Sequence, residues 1–362
     1  MQTLTVRRFF DAHVHLRRLI MLTLVTPFTS RYCCSALIMP NTKKHPVLNG
    51  ADVRRYRKEI KSSSDVNGHT WFEPFMTVQI IKTTSLEDLK SAWAQGVRAA
   101  KIYPEGVTNS EFGISDYEAL FPLLEWMEEV GMHLLLHGEH PDIFIDCMDA
   151  EFFFLEKILP VIVRRFPRLK ITLEHVSTKH GIEFVRAHWP QVAGSITVHH
   201  MTTFQNDWMK QFLRPHGFCM PVPKYRRDME AIRAAAVSGE ECFFNGSDSA
   251  PHHWRAKEAI KGCAGIFNSP TQYQTLAEVF EQDRAVQNYE PFTSTNGLTR
   301  YGLPLVEDTV TLVKHDWQVP MRYSLVDAQV ERFGRSIRRQ SIAVVPFRAG
   351  QTITWQFQDR VN

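Results

Sequence analysis

Residues 11 to 17 read Asp-Ala-His-Val-His-Leu-Arg, and His13 and His15 stand two apart at what reads as the end of a β-strand. Side chains two apart on a strand project to the same face, so both imidazoles can reach one metal ion while Val14 turns into the apolar layer behind. That geometry suits a metal hydrolase. Two neighbouring histidines are ambiguous in a chain that holds sixteen, so the remaining ligands carry the case. Candidates stand at the ends of other apolar runs: Lys101, His137, His175 and Asp248. Imidazole nitrogen and carboxylate oxygen suit Zn²⁺ and related divalent ions. Lysine is the exception, because an ammonium repels a cation. A lysine lowered in pKa by burial and nearby positive charge can nevertheless add CO₂ and become an anionic carbamate, whose two oxygens bridge two metals. His133, His199 and His200 are read as hydrogen-bonded structure rather than ligands. Glu139 and Glu174, beside His137 and His175, are competing ligand candidates, but each is expected on the opposite side of its strand from the histidine, as a supporting or core-paired acid.

The elements that must position these groups are legible as an alternation of short apolar runs and longer amphipathic segments nearly to residue 265, the pattern of βα units and a parallel sheet. After the strand ending at His15, the runs cover residues 35–40, 75–80, 98–103, 132–137, 170–175, 195–200 and 242–248. Between them lie helical patterns such as Tyr117 to Gly131, where Leu120, Leu123, Leu124 and Met127 fall at helical spacing and Gly131 sits where a C-cap is expected. Eight such units predict a closed (β/α)8 barrel of the TIM type, and a doubly wound open sheet is the competing arrangement. The barrel is preferred because it brings many strand ends to one mouth, where polar residues from several strands can share a site. The barrel core spans about residues 5–265. Residues 266–362 are expected to form a helical and then irregular C-terminal appendage to the same single domain, with a short hairpin over residues 344–355.

Composition narrows the partners. Lys+Arg 42 against Asp+Glu 39 leaves a net charge of +3, without the basic run that nucleic-acid binding needs. A small-molecule ligand is expected instead. Six cysteines without a C-x-x-C pair argue against a zinc ribbon or a disulfide scaffold and read as core thiols in a reducing cytosol. The apolar run after Arg17-Arg18 is short and ends at Pro27, so it reads as a core-facing helix turn rather than a signal peptide. No stretch approaches the ~18 to 20 apolar residues that span a bilayer.

These motifs, taken in order, resemble a family. Asp-Ala-His-Val-His-Leu-Arg, Met39-Pro-Asn41, Ala100-Lys-Ile-Tyr-Pro104, His137-Gly-Glu139, Leu173-Glu-His-Val-Ser-Thr178, Gly246-Ser-Asp-Ser-Ala-Pro-His252, Gly262-Cys-Ala-Gly265 and Asn296-Gly are similar to those of dihydroorotases of the short bacterial, single-function type, within the amidohydrolase superfamily. The resemblance runs nearly end to end. It implies hydrolysis of dihydroorotate to N-carbamoyl-L-aspartate, a reversible step of pyrimidine biosynthesis, in a cytoplasmic homodimer. It further implies two Zn²⁺ per subunit: His13, His15 and Asp248 on one, His137 and His175 on the other, bridged by N6-carboxylated Lys101. Asp248 would move the proton between nucleophile and leaving nitrogen. Arg17, Asn41 and His252 would hold the substrate carboxylate, with arginine supplying a two-pronged hydrogen bond, and backbone groups around Met220 and Ala264 would read the ring amide. Thr108 would donate to the developing oxyanion from a loop that closes over the substrate.

Two positions depart from the family pattern. Val107 stands where the first of two adjacent threonines is usual, and Arg18 replaces the aspartate that commonly follows the substrate arginine. The alternatives are a related cyclic-amide hydrolase of the hydantoinase or allantoinase type, or a non-catalytic relative that serves as a scaffold; filled ligand positions speak against the latter.

Overall fold

A computed structural model describes residues 2–42, 45–107, 112–326, 331–332, 335–336 and 341–358. Its centre is a ring of eight parallel strand segments: Phe9–Val14, Cys33–Ile38, Glu73–Ile80 with a break at Thr77, Ala99–Ile102, His133–His137, Ile171–Glu174, Val192–Ile196 and Phe243–Asn245. Neighbours pair in sequence order, as βα units demand. The ring closes between its first and last members. Val14 bridges Ser249, His15 N donates to Ser249 O at 3.0 Å, and Asp248 N donates to His13 O at 2.8 Å. The predicted barrel is therefore the observed one. Its seventh strand, Val192–Ile196, begins three residues before the run read from the sequence, because Gly194 breaks the apolar signal there.

Alternation along each strand separates two apolar layers. Val78, Ile80, Ala100, Ile102, Leu134, Leu136, Ile171 and Leu173 face outward into a large core shared with the helices. Phe10, Ala12, Leu37, Ala99, Leu135, Ala193 and Phe244 fill the barrel interior below the mouth. A parallel sheet must be covered on both faces, and this is why its strands read as near-continuous apolar runs. The helix after the first strand, Ile20–Ser30, buries Leu22 and Val25 and takes the place expected for a core-facing turn. Helix Phe121–Val130 ends at Gly131, whose φ of 76° is the left-handed C-cap that glycine adopts without penalty.

The C-terminal part is more ordered than its sequence suggests. Helices Gln272–Gln282 and Asn296–Arg300 come first. Strand Thr309–Gln318 then pairs antiparallel with Thr3–Arg7 on one side and Thr352–Phe357 on the other, and Tyr323–Val326 pairs with Ser341–Val344. The expected hairpin over residues 344–355 is absent, since Val344 and Trp355 lie in different sheets. One partner of the central strand, Thr3–Arg7, is some 300 residues away in sequence, and no local pattern marks such a pairing. Among the described residues, no helix is long and apolar enough to cross a membrane.

Candidate active site

The C-terminal ends of the barrel strands open into a cavity of about 680 Å³. His13, His15, Arg17, Asn41, His137, His175, Met220, Asp248, His252 and Ala264 all line it. Lys101 is fully buried and does not reach the cavity surface. Thr108 lies outside the described residues; Val107, beside it, lines the cavity with an apolar side chain. A larger cavity of about 1150 Å³ lies between helix 20–30 and the C-terminal sheet and holds none of these groups.

Three donor atoms converge at the barrel closure. His13 Nε2, His15 Nε2 and Asp248 Oδ1 lie 3.1 to 3.2 Å from one another. Donors around a tetrahedral ion with ligands at about 2.0–2.2 Å are roughly 3.3–3.6 Å apart, so this triad is close to the spacing that a divalent cation imposes. Among the described residues, the buried Nδ1 atoms of His13, His15 and His175 also lack hydrogen-bond partners. The residues present fit a metal. Burial would raise the Asp248 carboxyl, but His13 and His15 outweigh it and hold it well below the usual carboxylate range, so it stands as an anionic donor. Burial opposes charge on His13 too, yet Glu174 and Asp248 lift it to about 9, while burial drops His15 to about 4.

The second cluster revises the expectation for the two glutamates. His137 and His175 have ring centroids 4.5 Å apart. Glu139 turns toward the site and accepts from His137 Nε2 at 2.6 Å. Glu174 enters the barrel rather than its outer layer. One of its oxygens contacts Lys101 Nζ, and the other lies 3.0 Å from His13 Nδ1, an ion-pair contact that lacks the angle of a hydrogen bond. The strict alternation that put His175 and Glu174 on opposite sides fails because the strand ends at Glu174 and His175 takes a φ of +43°. Asp248 at +44° and Arg17 at +59° are turned in the same way, three non-glycine residues in the left-handed region just past strand ends. Such strain clusters where a side chain must be aimed against its local preference. Burial lowers the Lys101 ammonium against the pull of Glu174.

Opposite the metal-type ligands, Arg17 Nε donates to Pro251 O at 3.1 Å and its Nη2 contacts His252 Nε2 at 3.1 Å. Tyr56 donates to the Arg17 carbonyl at 2.7 Å and so pins the left-handed turn. Arg18 points away from the cavity. It pairs with Glu59 and stacks over Tyr56, so it is anchored on helix Gly50–Asp65 and adds no group to the pocket. On the far wall, Lys257 Nζ donates to Phe218 O and Gly265 O, both at 2.7 Å, which ties the loop bearing Met220 to the loop bearing Ala264. Asp11 accepts from Ser247 N at 2.8 Å and His13 N at 3.2 Å, locking the first ligand strand to the last. Glu139 and Glu174 are the supporting acids that the sequence suggests, though on the site's side of their strands, whereas Lys257 and Asp11 are site residues that the sequence does not reveal. The acids at 139 and 174 were visible beside histidines, whereas nothing local marks Lys257 or Asp11.

A parallel eight-stranded barrel with imidazole, carboxylate and lysine side chains at one mouth defines a TIM-barrel amidohydrolase. No protein-family profile matches the chain, but relatives do over its full length. The dihydroorotase of Shewanella loihica is 42% identical over 361 residues, covering 99% of this chain and 100% of that protein. A solved structure of Saccharomyces cerevisiae dihydroorotase in complex with 5-fluoroorotic acid superposes with a TM-score of 0.87 at 30% identity, covering 99% of each chain. The L-hydantoinase of Arthrobacter aurescens shares the fold at a TM-score of 0.73 but is 14% identical over 88% of this chain and 78% of its own. The chain belongs to the dihydroorotase family, and its reaction is the metal-dependent hydrolysis of a cyclic amide, dihydroorotate, in pyrimidine biosynthesis.

Proposed function

We propose that the residues at this mouth perform dihydroorotase chemistry with two zinc ions per subunit. His13, His15 and Asp248 would hold one ion and His137 and His175 the other, with carboxylated Lys101 between them. The observation that carries the reading is the convergence of three donor atoms within 3.2 Å in the cavity that also holds Arg17 and His252. Bound divalent ions supply Lewis acidity, which brings hydroxide within reach of neutral pH and polarises a carbonyl. Asp248, kept ionised by its histidines, accepts the proton of the attacking water and returns it to the ring nitrogen as the C–N bond breaks. Glu139 and Glu174 orient the histidines that they touch.

Arg17, His252 and Asn41 hold the substrate carboxylate, and the complex of the yeast relative with 5-fluoroorotic acid, a carboxylate-bearing pyrimidine, supports that assignment. Backbone groups of Met220 and Ala264 read the ring amide from loops that Lys257 fixes. Thr108 supplies the oxyanion donor, and the apolar Val107 leaves a single threonine for that task. Six unpaired thiols suit a reducing, cytoplasmic setting, and the chain is read as one barrel domain with its C-terminal part, acting as a homodimer.

Metal analysis of the purified protein, joined to assays with dihydroorotate, carbamoyl aspartate, hydantoin and allantoin, tests the whole reading. About two zinc ions and turnover of the first two compounds are expected. Turnover confined to hydantoin or allantoin would overturn the substrate assignment.

A further inference from the structure

One interior residue has no part in the chemistry above. Gln79 lies in strand Val78–Ile80 and is 1% exposed. Among the described residues, neither its amide nitrogen nor its amide oxygen has a hydrogen-bond partner. A buried amide without a partner is costly, and its persistence calls for something that satisfies it. Val78 and Ile80 face outward, so alternation directs Gln79 into the barrel. Its register partner on the next strand is Lys101, itself turned inward because Ala100 and Ile102 belong to the outer layer. Register partners on parallel strands project side by side from the same face. Gln79 does not line the substrate cavity.

We propose that Gln79 is a positioning residue for the carbamate of Lys101, donating from its amide NH₂ to a carbamate oxygen. The proposal rests on the reading that Lys101 is carboxylated. In that step the free amine Nζ attacks the carbon of CO₂, one N–C bond forms, an electron pair of one C=O moves to its oxygen, and Nζ releases one proton to solvent. The product brings acceptor oxygens to a place where Gln79 Nε2 has none. A neutral donor suits the position. A cationic side chain there would compete for the carbamate charge, an acid would repel it, and an apolar one would leave an oxygen unsatisfied.

The test uses the zinc-loaded, full-length protein exchanged out of CO₂ and titrated with ¹³C-bicarbonate, with the carbamate carbon read by ¹³C NMR. Wild type should show the signal. Gln79→Met, of similar volume but without the amide, should need roughly tenfold more bicarbonate for half-occupancy, the effect of losing one charge-assisted hydrogen bond. Gln79→Asn, which withdraws the amide by one methylene, should do the same. Because the amide has no hydrogen-bond partner among the described residues, Gln79→Met should keep or raise Tm. A wild-type signal with variant titrations within twofold of it would overturn the proposal, as would a Gln79→Met chain that does not fold, since that assigns the amide to structure. No carbamate signal in wild type would instead overturn the carboxylation reading itself.

Discussion

Replacing Arg17 with methionine removes the guanidinium while keeping an unbranched apolar stem in the same groove. The structure sets the size of the expected loss. Two of the five guanidinium N–H groups go to Pro251 O and His252 Nε2, so three remain without a protein acceptor among the described residues. Two of those suffice for the paired hydrogen bond that a carboxylate accepts. Each hydrogen bond to a charged group is worth about 1.5–3 kcal/mol, so losing two should lower kcat/KM for dihydroorotate by ~10²–10⁴-fold, mostly through KM. The loss should be specific to the carboxylate. Dihydrouracil, the same ring without that group, should be hydrolysed by the variant at the rate of the wild-type protein, however slow that is. Steady-state kinetics on both compounds, with circular dichroism to verify the fold, provide the measurement. If kcat/KM for dihydroorotate stayed within a few-fold of wild type, or if both compounds lost activity equally, the guanidinium would not be the carboxylate clamp.

Three further outcomes are expected. Asp248→Asn should abolish turnover while far-UV dichroism stays unchanged, and residual activity above about 1% of wild type would argue against its role as proton carrier. Lys101→Ala should bring bound zinc toward zero by elemental analysis, and normal zinc content would falsify the bridging role. His133, buried at the base of its strand, is lowered to about 3 by burial, with Arg300 and Lys170 adding to the effect. The unfolded chain titrates this group near 6.5, so between about 6.5 and 3 the unfolded state binds a proton that the folded state refuses, and stability falls as pH drops through that window. At about 1.36 kcal/mol per pH unit the ceiling is ~5 kcal/mol. His133→Leu should flatten that fall in urea titrations between pH 7 and 4.5, and parallel losses in both proteins would remove histidine 133 as its source.

Most of the site was legible because each candidate ligand ends an apolar run, and a barrel carries all such ends to one mouth. His13, His15 and Asp248 meet as their positions imply. What eluded the sequence follows from two physical causes. Period-two alternation holds only inside a strand, so Glu174, next to the outward Leu173, turns inward, and the φ of +43° at His175 re-aims the histidine just past the strand end. Roles that depend on register or on loop packing have no local mark: Lys257 acts by spanning two loops, and Gln79 stands beside Lys101 only because two strands align. The C-terminal sheet was missed for a similar reason. Val310 and Leu312 alternate with more exposed neighbours in strand Thr309–Gln318, but the strand's partner, Thr3–Arg7, comes from the opposite end of the chain.

The closure between Val14 and Ser249 has a consequence for how the protein is made. His15 and Asp248, whose Nε2 and Oδ1 lie 3.1 Å apart, are separated by 233 residues of chain. During synthesis the paired histidines leave the ribosome first and can meet their carboxylate only after seven further strands have been threaded into the ring. Bringing ends so distant together carries a loop-closure entropy of about 5 kcal/mol beyond the constant term, offset here by the strand bridge and by Asp11, which reaches across to Ser247. A nascent chain stalled before Asp248 therefore holds the two histidines without the third donor atom of their cluster, in a ring that is still open. The three donor atoms come within 3.2 Å of one another only where the first and last strands of the ring meet.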